Sequence, residues 1–326
     1  MFQVSEGMIQ TAPGGPVPTL LRTLQEFGNF RLVVEYQTPG WCEAGVLLFA
    51  PPYGRASHIG VKIHLRHDNT DEGARSVGAL FDLLPPLERV AAPRADWNRL
   101  EVISDYPMLR VTLNGTVIQN IHRELHPALR WRQRRGHLAL QYLGSPIRFR
   151  KVEIEPLPEA EDPWVELCNG RDLEGWEIRG NAPWEVRDGV ITSPGGDGYL
   201  VTTRSFSNFV FETFVRTRPG TNGGVFFRWG DDNGRGYEVQ IYNVEEATNP
   251  TGSIYGFVPA AELKARDGEW FHLRLVSSGT SALVFVNGDL VAVSHALKLP
   301  DHGKIALQMH SEAGLEFLRP RIRPLK

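Results

Sequence analysis

The chain has 326 residues, 41% of them hydrophobic and 22% charged, with 33 Gly, 23 Pro, two Cys and a formal net charge of −3. That length holds about two domains able to bury their own cores, and the near-neutral balance gives no concentrated basic surface for nucleic acid or an anionic membrane. Two cysteines, Cys42 and Cys168, supply neither a disulfide framework nor a Cys-rich metal site, and no apolar run approaches the roughly 18 residues of a membrane span.

The opening MFQVSEGMIQ lacks the basic and apolar blocks of a signal peptide. A cytoplasmic location is the default expectation, with a periplasmic or secreted one if a leader was removed. From there the chain runs through short segments of period-two alternation: FQVSEGMIQT (2–11), FGNFRLVVEYQTPGWCEAGVLL (27–48), HIGVKI (58–63), VGALFDLLP (77–85), ADWNRLEV (95–102), RVTLNGTVI (110–118) and GHLALQ (136–141). Such alternation, punctuated by Gly and Pro, predicts strands rather than helices, and Asn114-Gly115 predicts a two-residue hairpin. The basic run Arg130 to Arg135, just before a strand, reads as a solvated loop.

An acidic, Pro-bearing stretch, EPLPEAEDP (155–163), has linker composition, and beyond it the same series returns. WEVRDGVITS (184–193), FSNFVFETFVRTRPGTNGGVFF (206–227), GYEVQI (236–241), TGSIYGFVP (251–259), GEWFHLRL (268–275), LVFVNGDLV (283–291) and GKIALQ (303–308) answer the first seven segments in order. Seven collinear matches indicate a duplication. The expectation is all-β: two tandem β-sandwiches of some 10 to 12 strands each, divided as 1–157 and 158–326.

The second copy, with LCNGRDLEGW (167–176), WEVRDGVI, NGGVFFR (222–228), GYEVQI, TGSIYG, GEWFHL and ALQMHS (306–311), resembles the 3-keto-disaccharide hydrolase domain family. That family is a jelly-roll sandwich related to concanavalin A-type lectins and glucanases. The resemblance covers residues 164–325, and more distantly 2–157, where the strand answering LCNGRDLEGW is missing. It implies a carbohydrate or glycoside ligand and a groove on one sheet of the second copy.

Strand alternation suggests which side chains line that groove. Tyr237, Val239 and Ile241 form one face of GYEVQI and Glu238, Gln240 and Tyr242 the other; Phe226 and Arg228 share a face of NGGVFFR, as Gln308 and His310 do of ALQMHS. The resemblance then implies Glu238, His310 and Arg228 as catalytic residues, with Gln240, Tyr255, Trp229, Tyr242, Gln308 and Asn222 contacting substrate. Singly, these are weak signals. A strand's Glu and Gln commonly make a solvated face, and Arg228 is equally suited to cap a sheet edge and pair with Asp231 or Asp232.

Setting the copies side by side puts Phe49 opposite Arg228, Gly60 opposite Glu238, Lys62 opposite Gln240, Phe81 opposite Tyr255 and Leu143 opposite His310, so the first copy reads as a scaffold stripped of its groove. Its own polar cluster, Lys62, His64, His67 and Asp68, lacks a third metal ligand at suitable spacing. No cofactor is identified, and a divalent metal is left open.

The resemblance implies a glycoside oxidised to a ketone at C3. The ketone acidifies the C2 proton, so a base can form an enolate and the C1 group departs by elimination, with water restoring the sugar afterwards. His310 or Glu238 suits the base, and Arg228 with Gln240 or Tyr255 suits the enolate oxygen. Hydrolysis by two facing carboxylates is disfavoured, because GYEVQI carries only one. The alternative is a pair of carbohydrate-binding modules without catalysis. Sugar identity, linkage and oligomeric state are not legible.

Overall fold

The computed structural model describes residues 1–70, 73–159, 161, 163–230, 236–298 and 300–325. The chain divides into two compact units, Met1–Pro52 with Ala56–Glu161 and Tyr53–Arg55 with Asp162–Lys326. Among the described residues the first unit contains β1 (Phe2–Ser5), β2 (Met8–Thr11), β3 (Thr19–Phe27), β4 (Phe30–Gln37), β5 (Glu43–Ala50), β6 (Val61–Arg66), β7 (Trp97–Asp105), β8 (Met108–Leu113), β9 (Thr116–His122), β10 (Gly136–Tyr142) and β11 (Arg148–Pro156). The second contains β12 (Val165–Glu166), β13 (Trp176–Gly180), β14 (Glu185–Arg187), β15 (Val190–Ser193), β16 (Gly196–Phe206), β17 (Phe209–Thr217), β18 (Gly223–Trp229), β19 (Tyr237–Ile241), β20 (Phe271–Ser278), β21 (Ser281–Val286), β22 (Asp289–Ser294), β23 (Gly303–Ser311) and β24 (Leu315–Pro324). No described helix is long and apolar enough to cross a membrane.

Each unit is a sandwich of two antiparallel sheets, as the alternation requires. In the first, a seven-stranded sheet ordered β1-β2-β11-β4-β7-β8-β9 faces a four-stranded sheet ordered β3-β10-β5-β6. In the second, an eight-stranded sheet ordered β14-β15-β24-β17-β20-β21-β22, with β12 paired to β24, faces a five-stranded sheet ordered β13-β16-β23-β18-β19. The inward alternates make the cores: Leu32, Val102, Val46 and Ile63 in one unit, Phe211, Leu275, Val239 and Leu307 in the other. Removing such side chains from water supplies the main driving force, roughly 1.5–3 kcal/mol for each large aliphatic residue.

Local chemistry repeats between the units. Asn114 and Gly115 (φ 51° and 88°) and Asn287 and Gly288 (φ 52° and 86°) form two-residue hairpin turns with both φ positive, which Asn-Gly tolerates best. A bulge also recurs. Phe49 (φ 57°) and Arg228 (φ 54°) sit in the left-handed region where the register of β5 and β18 against β10 and β23 slips. The strand opposite must be glycine there, because a Cβ on Gly136 would lie 2.6 Å from the Phe49 carbonyl carbon and one on Gly303 2.4 Å from that of Arg228.

The units differ at one edge. β13 pairs with β16 in the second, with Trp176 opposite Thr202, whereas β3, the counterpart of β16, ends its sheet. An apolar cleft of about 170 Å³, lined by Leu21, Thr23, Leu138 and Val152 among others, opens beside β3.

Candidate functional site

The outer face of the five-stranded sheet is a grid whose rows follow from strand register. One row runs Val201, Ala306, Phe226, Glu238; the next runs Tyr199, Gln308, Gly224, Gln240; the third brings Asp197 opposite His310, with His310 N–H donating to the Asn222 carbonyl. The segment after β19 extends the grid, since Tyr255 N–H donates to the Glu238 carbonyl at 2.9 Å and Gln240 N–H to that of Ser253 at 2.9 Å. Tyr242 continues the third row, half-buried, its N–H bound to Thr251 Oγ1 at 2.7 Å.

Glu238 dominates this surface. Its carboxyl folds across Gly224, where an added Cβ would meet Glu238 Oε1 at 2.3 Å, and so drops into the row occupied by Gln240 and Gln308. It is 9% exposed and, among the described residues, accepts no hydrogen bond. Burial pushes its pKa up to about 7, against a small opposing pull from His310. A carboxyl poised there exchanges a proton near neutral pH. The unit's other buried glutamate, Glu212 on the eight-stranded sheet, is the contrast: burial raises it too, but Arg274 and Arg321 hold it well below the ordinary carboxylate range. Glu212 is a structural anion.

Around Glu238 stand amides, an imidazole and rings. Gln240 Nε2 donates to Asn222 Oδ1 at 2.9 Å, and Gln308 Nε2 reaches Tyr199 Oη at 3.4 Å. His310 is exposed, and its Nδ1 is 2.9 Å from Asp197 Oδ1. Strand spacing of about 4.8 Å and a rise of about 3.3 Å per residue put the Cα atoms of Glu238 and His310 roughly 16 Å apart, with their side chains closing part of that gap. The two bracket a space rather than touch. Trp229 is buried with Tyr199 (centroids 4.7 Å) and Phe226 (5.1 Å), making an aromatic floor. Tyr255 stays half-exposed at the rim.

Two expectations are corrected. Arg228 does not face Glu238. The bulge breaks the alternation, and the guanidinium turns inward to donate from Nε and Nη2 to Ser277 Oγ (3.2 and 3.1 Å) and from Nη2 to the Gly279 carbonyl (2.5 Å). Its counterpart Phe49 is a core side chain. Asp231 and Asp232, offered as its partners, lie outside the described residues.

At β6 and β19 alone the pairing of the two copies also shifts by two residues. Gly60 packs against the Leu48 and Phe49 carbonyls as Gly236 packs against that of Phe227. Phe81 N–H bonds the Lys62 carbonyl as Tyr255 N–H bonds that of Glu238, and Gly78 N–H bonds the His64 carbonyl as Gly252 N–H bonds that of Gln240. Lys62 therefore stands in the place of Glu238, and His64 in that of Gln240. The first copy's groove is rewritten, not stripped. His67 belongs elsewhere, its Nδ1 against Cys42 and its Nε2 2.9 Å from Asp68. Among the described residues no three His, Cys, Asp or Glu side chains cluster to hold a metal ion.

Asp197 and Tyr199 were not foreseen, and Phe226, expected on the groove face, was given no role there. Asp197 meets His310 across 113 residues of sequence, and no local pattern marks it.

No curated protein matches the chain. Among solved structures it is similar to a candidate glycosyl hydrolase from Parabacteroides distasonis, at 26% identity and TM-score 0.46, over 50% of this chain and 100% of that one. It is also similar to the carbohydrate-binding module CBM66 from Bacillus subtilis (18%, TM-score 0.36, 49% and 99%) and to a Bacillus licheniformis β-glucanase (10%, TM-score 0.40, 52% and 100%). The family model of the 3-keto-alpha-glucoside-1,2-lyase-like domain matches residues 2–155 and again 163–323, so the chain belongs to that family, in two tandem copies.

Proposed function

We propose that the groove of the second copy cleaves 3-keto-glycosides by 1,2-elimination, with Glu238 as the general base. The supporting observation is the sunken, unpartnered carboxyl over Gly224 whose pKa is pushed up to about 7. In this reading Glu238 takes the C2 proton and the C2–H electrons move into an enolate with the C3 oxygen. That oxygen is met by the remaining amide hydrogens of Gln240 and Gln308, which replace Arg228 in the role. Collapse of the enolate breaks the C1–O bond, and His310, oriented by Asp197, protonates the departing oxygen. The sugar ring rests on the Tyr199, Phe226 and Trp229 floor, with Asn222, Tyr242 and Tyr255 at its margins.

The test incubates the protein with a 3-keto-disaccharide, with and without chelator, and follows both the released sugar and the ultraviolet absorbance of the unsaturated ketone. Release by wild type and not by Glu238→Gln supports the reading. The second reading, a non-catalytic carbohydrate-binding function, is supported by the aromatic floor. Saturable binding with no release from several keto-glycosides would establish it instead.

A further inference from the structure

We propose that the first sandwich carries a second site of different chemistry, at which Lys62 captures the carbonyl carbon of a small aldose or ketose as an imine. Lys62 occupies the position of Glu238 and lies across a bare glycine in the same way, an added Cβ on Gly45 meeting Lys62 Cε at 2.6 Å. The residue is 3% exposed. Among the described residues its ammonium has no carboxylate partner and no hydrogen bond; what it meets is the face of Phe81, 4.3 Å from the ring centroid. A buried cation with no anion is costly and is usually either neutralised or kept for a ligand.

The groups facing it do not neutralise it. Glu43 on β5 acts from beyond ion-pair distance, and its Oε1 is 3.7 Å from His64 Nε2. Asp82 is engaged by Arg75 at 2.7 Å. His64, stacked on Phe81 with neither ring nitrogen hydrogen-bonded, is lowered to about 3 by burial and the nearby Lys62, Arg66 and Arg75, so it adds no charge. Burial lowers Lys62 itself to about 8, with Glu43 and Asp82 opposing. At pH 7 about a tenth of such an amine is neutral, against less than about a thousandth of an ordinary lysine.

The step is a condensation. The Nζ lone pair adds to the carbonyl carbon and the carbonyl oxygen takes up a proton, giving a carbinolamine. That hydroxyl leaves as water while nitrogen gives up a proton to solvent and forms C=N. No oxidant or reductant is needed.

The experiment treats the full chain with glyceraldehyde or dihydroxyacetone and sodium cyanoborohydride at pH 7, then maps modified lysines by mass spectrometry over time. Hydride adds to the imine carbon and fixes the adduct as a secondary amine. Labelling of Lys62 is expected to run at least about tenfold faster than that of the partly exposed Lys151, because of the larger neutral fraction. Lys62→Arg, checked for an unchanged melting curve, should remove that adduct and no other. Lys62 labelled no faster than Lys151, or left unlabelled in folded wild type, overturns the proposal. The comparison within wild type holds even if the variant fails to fold, and it does not depend on the second copy's activity.

Discussion

Gly224→Ala tests the groove without touching any polar group. The glycine is outside the left-handed region, so its backbone accepts a side chain; the new methyl would lie 2.3 Å from Glu238 Oε1, 2.7 Å from Cγ and 2.9 Å from Cδ. The carboxyl must therefore leave the row of Gln240 and Gln308. Overpacking costs about 1–3 kcal/mol, offset by about 0.4–1 kcal/mol from a stiffer unfolded chain, so melting should fall by only a few degrees. Turnover should fall far more, by about 10² to 10⁴, the usual contribution of a positioned base. Wild-type turnover should rise with pH through about 7 as Glu238 ionises, and the residual activity of the variant should lose that inflection. Keto-glycoside cleavage is assayed across pH 5 to 9 alongside Gly45→Ala, which disturbs the flexible Lys62 stem in the first copy and should leave turnover alone. A folded Gly224→Ala protein with kcat within about threefold of wild type would refute the assignment of Glu238 as base.

Glu238 also sets a stability gradient. Its folded pKa lies above the ordinary 4.5, so from there to about 7 the unfolded chain ionises while the folded one keeps its proton, and stability falls as pH rises by up to about 3 kcal/mol. Denaturant titrations should show wild type losing ground to Glu238→Gln across that window; parallel curves would count against the buried, unpartnered carboxyl. His310→Ala should lower kcat by about 10²-fold or more with stability within about 0.5 kcal/mol, as an exposed proton donor requires, and Asp197→Asn should do the same more mildly. Arg228→Ala should do the reverse, costing about 2–4 kcal/mol by orphaning Ser277 Oγ and the Gly279 carbonyl while kcat of the folded protein holds. A selective loss of kcat there would restore Arg228 to the site.

Much of this was legible because it is local or periodic. The alternation in GYEVQI is enough to send Val239 and Ile241 inward and Glu238 and Gln240 outward, and the two Asn-Gly pairs mark their own turns. Arg228 was misplaced because a bulge adds a residue without a strong sequence mark, so every side chain beyond it changes face. The two-residue slip between the copies arose from matching the isoleucines that end HIGVKI and GYEVQI. The better guide was the glycine, since Gly60 and Gly236 both lie where a backbone carbonyl leaves no room for a Cβ. Asp197 was out of reach, its position beside His310 being a product of long-range strand pairing.

The two copies differ at one sheet edge, and that difference bears on more than the grooves. Among the described residues no strand pairs with the outer edge of the nine-residue β3, where Leu24 is fully exposed and Leu21 40% exposed, whereas the second copy covers the same edge with β13. An open edge of that length is a template on which another extended chain can continue the sheet. Colloidal behaviour should therefore be governed by this strip, and Leu24→Lys should improve solubility at high concentration without changing the melting temperature or the chemistry of either groove.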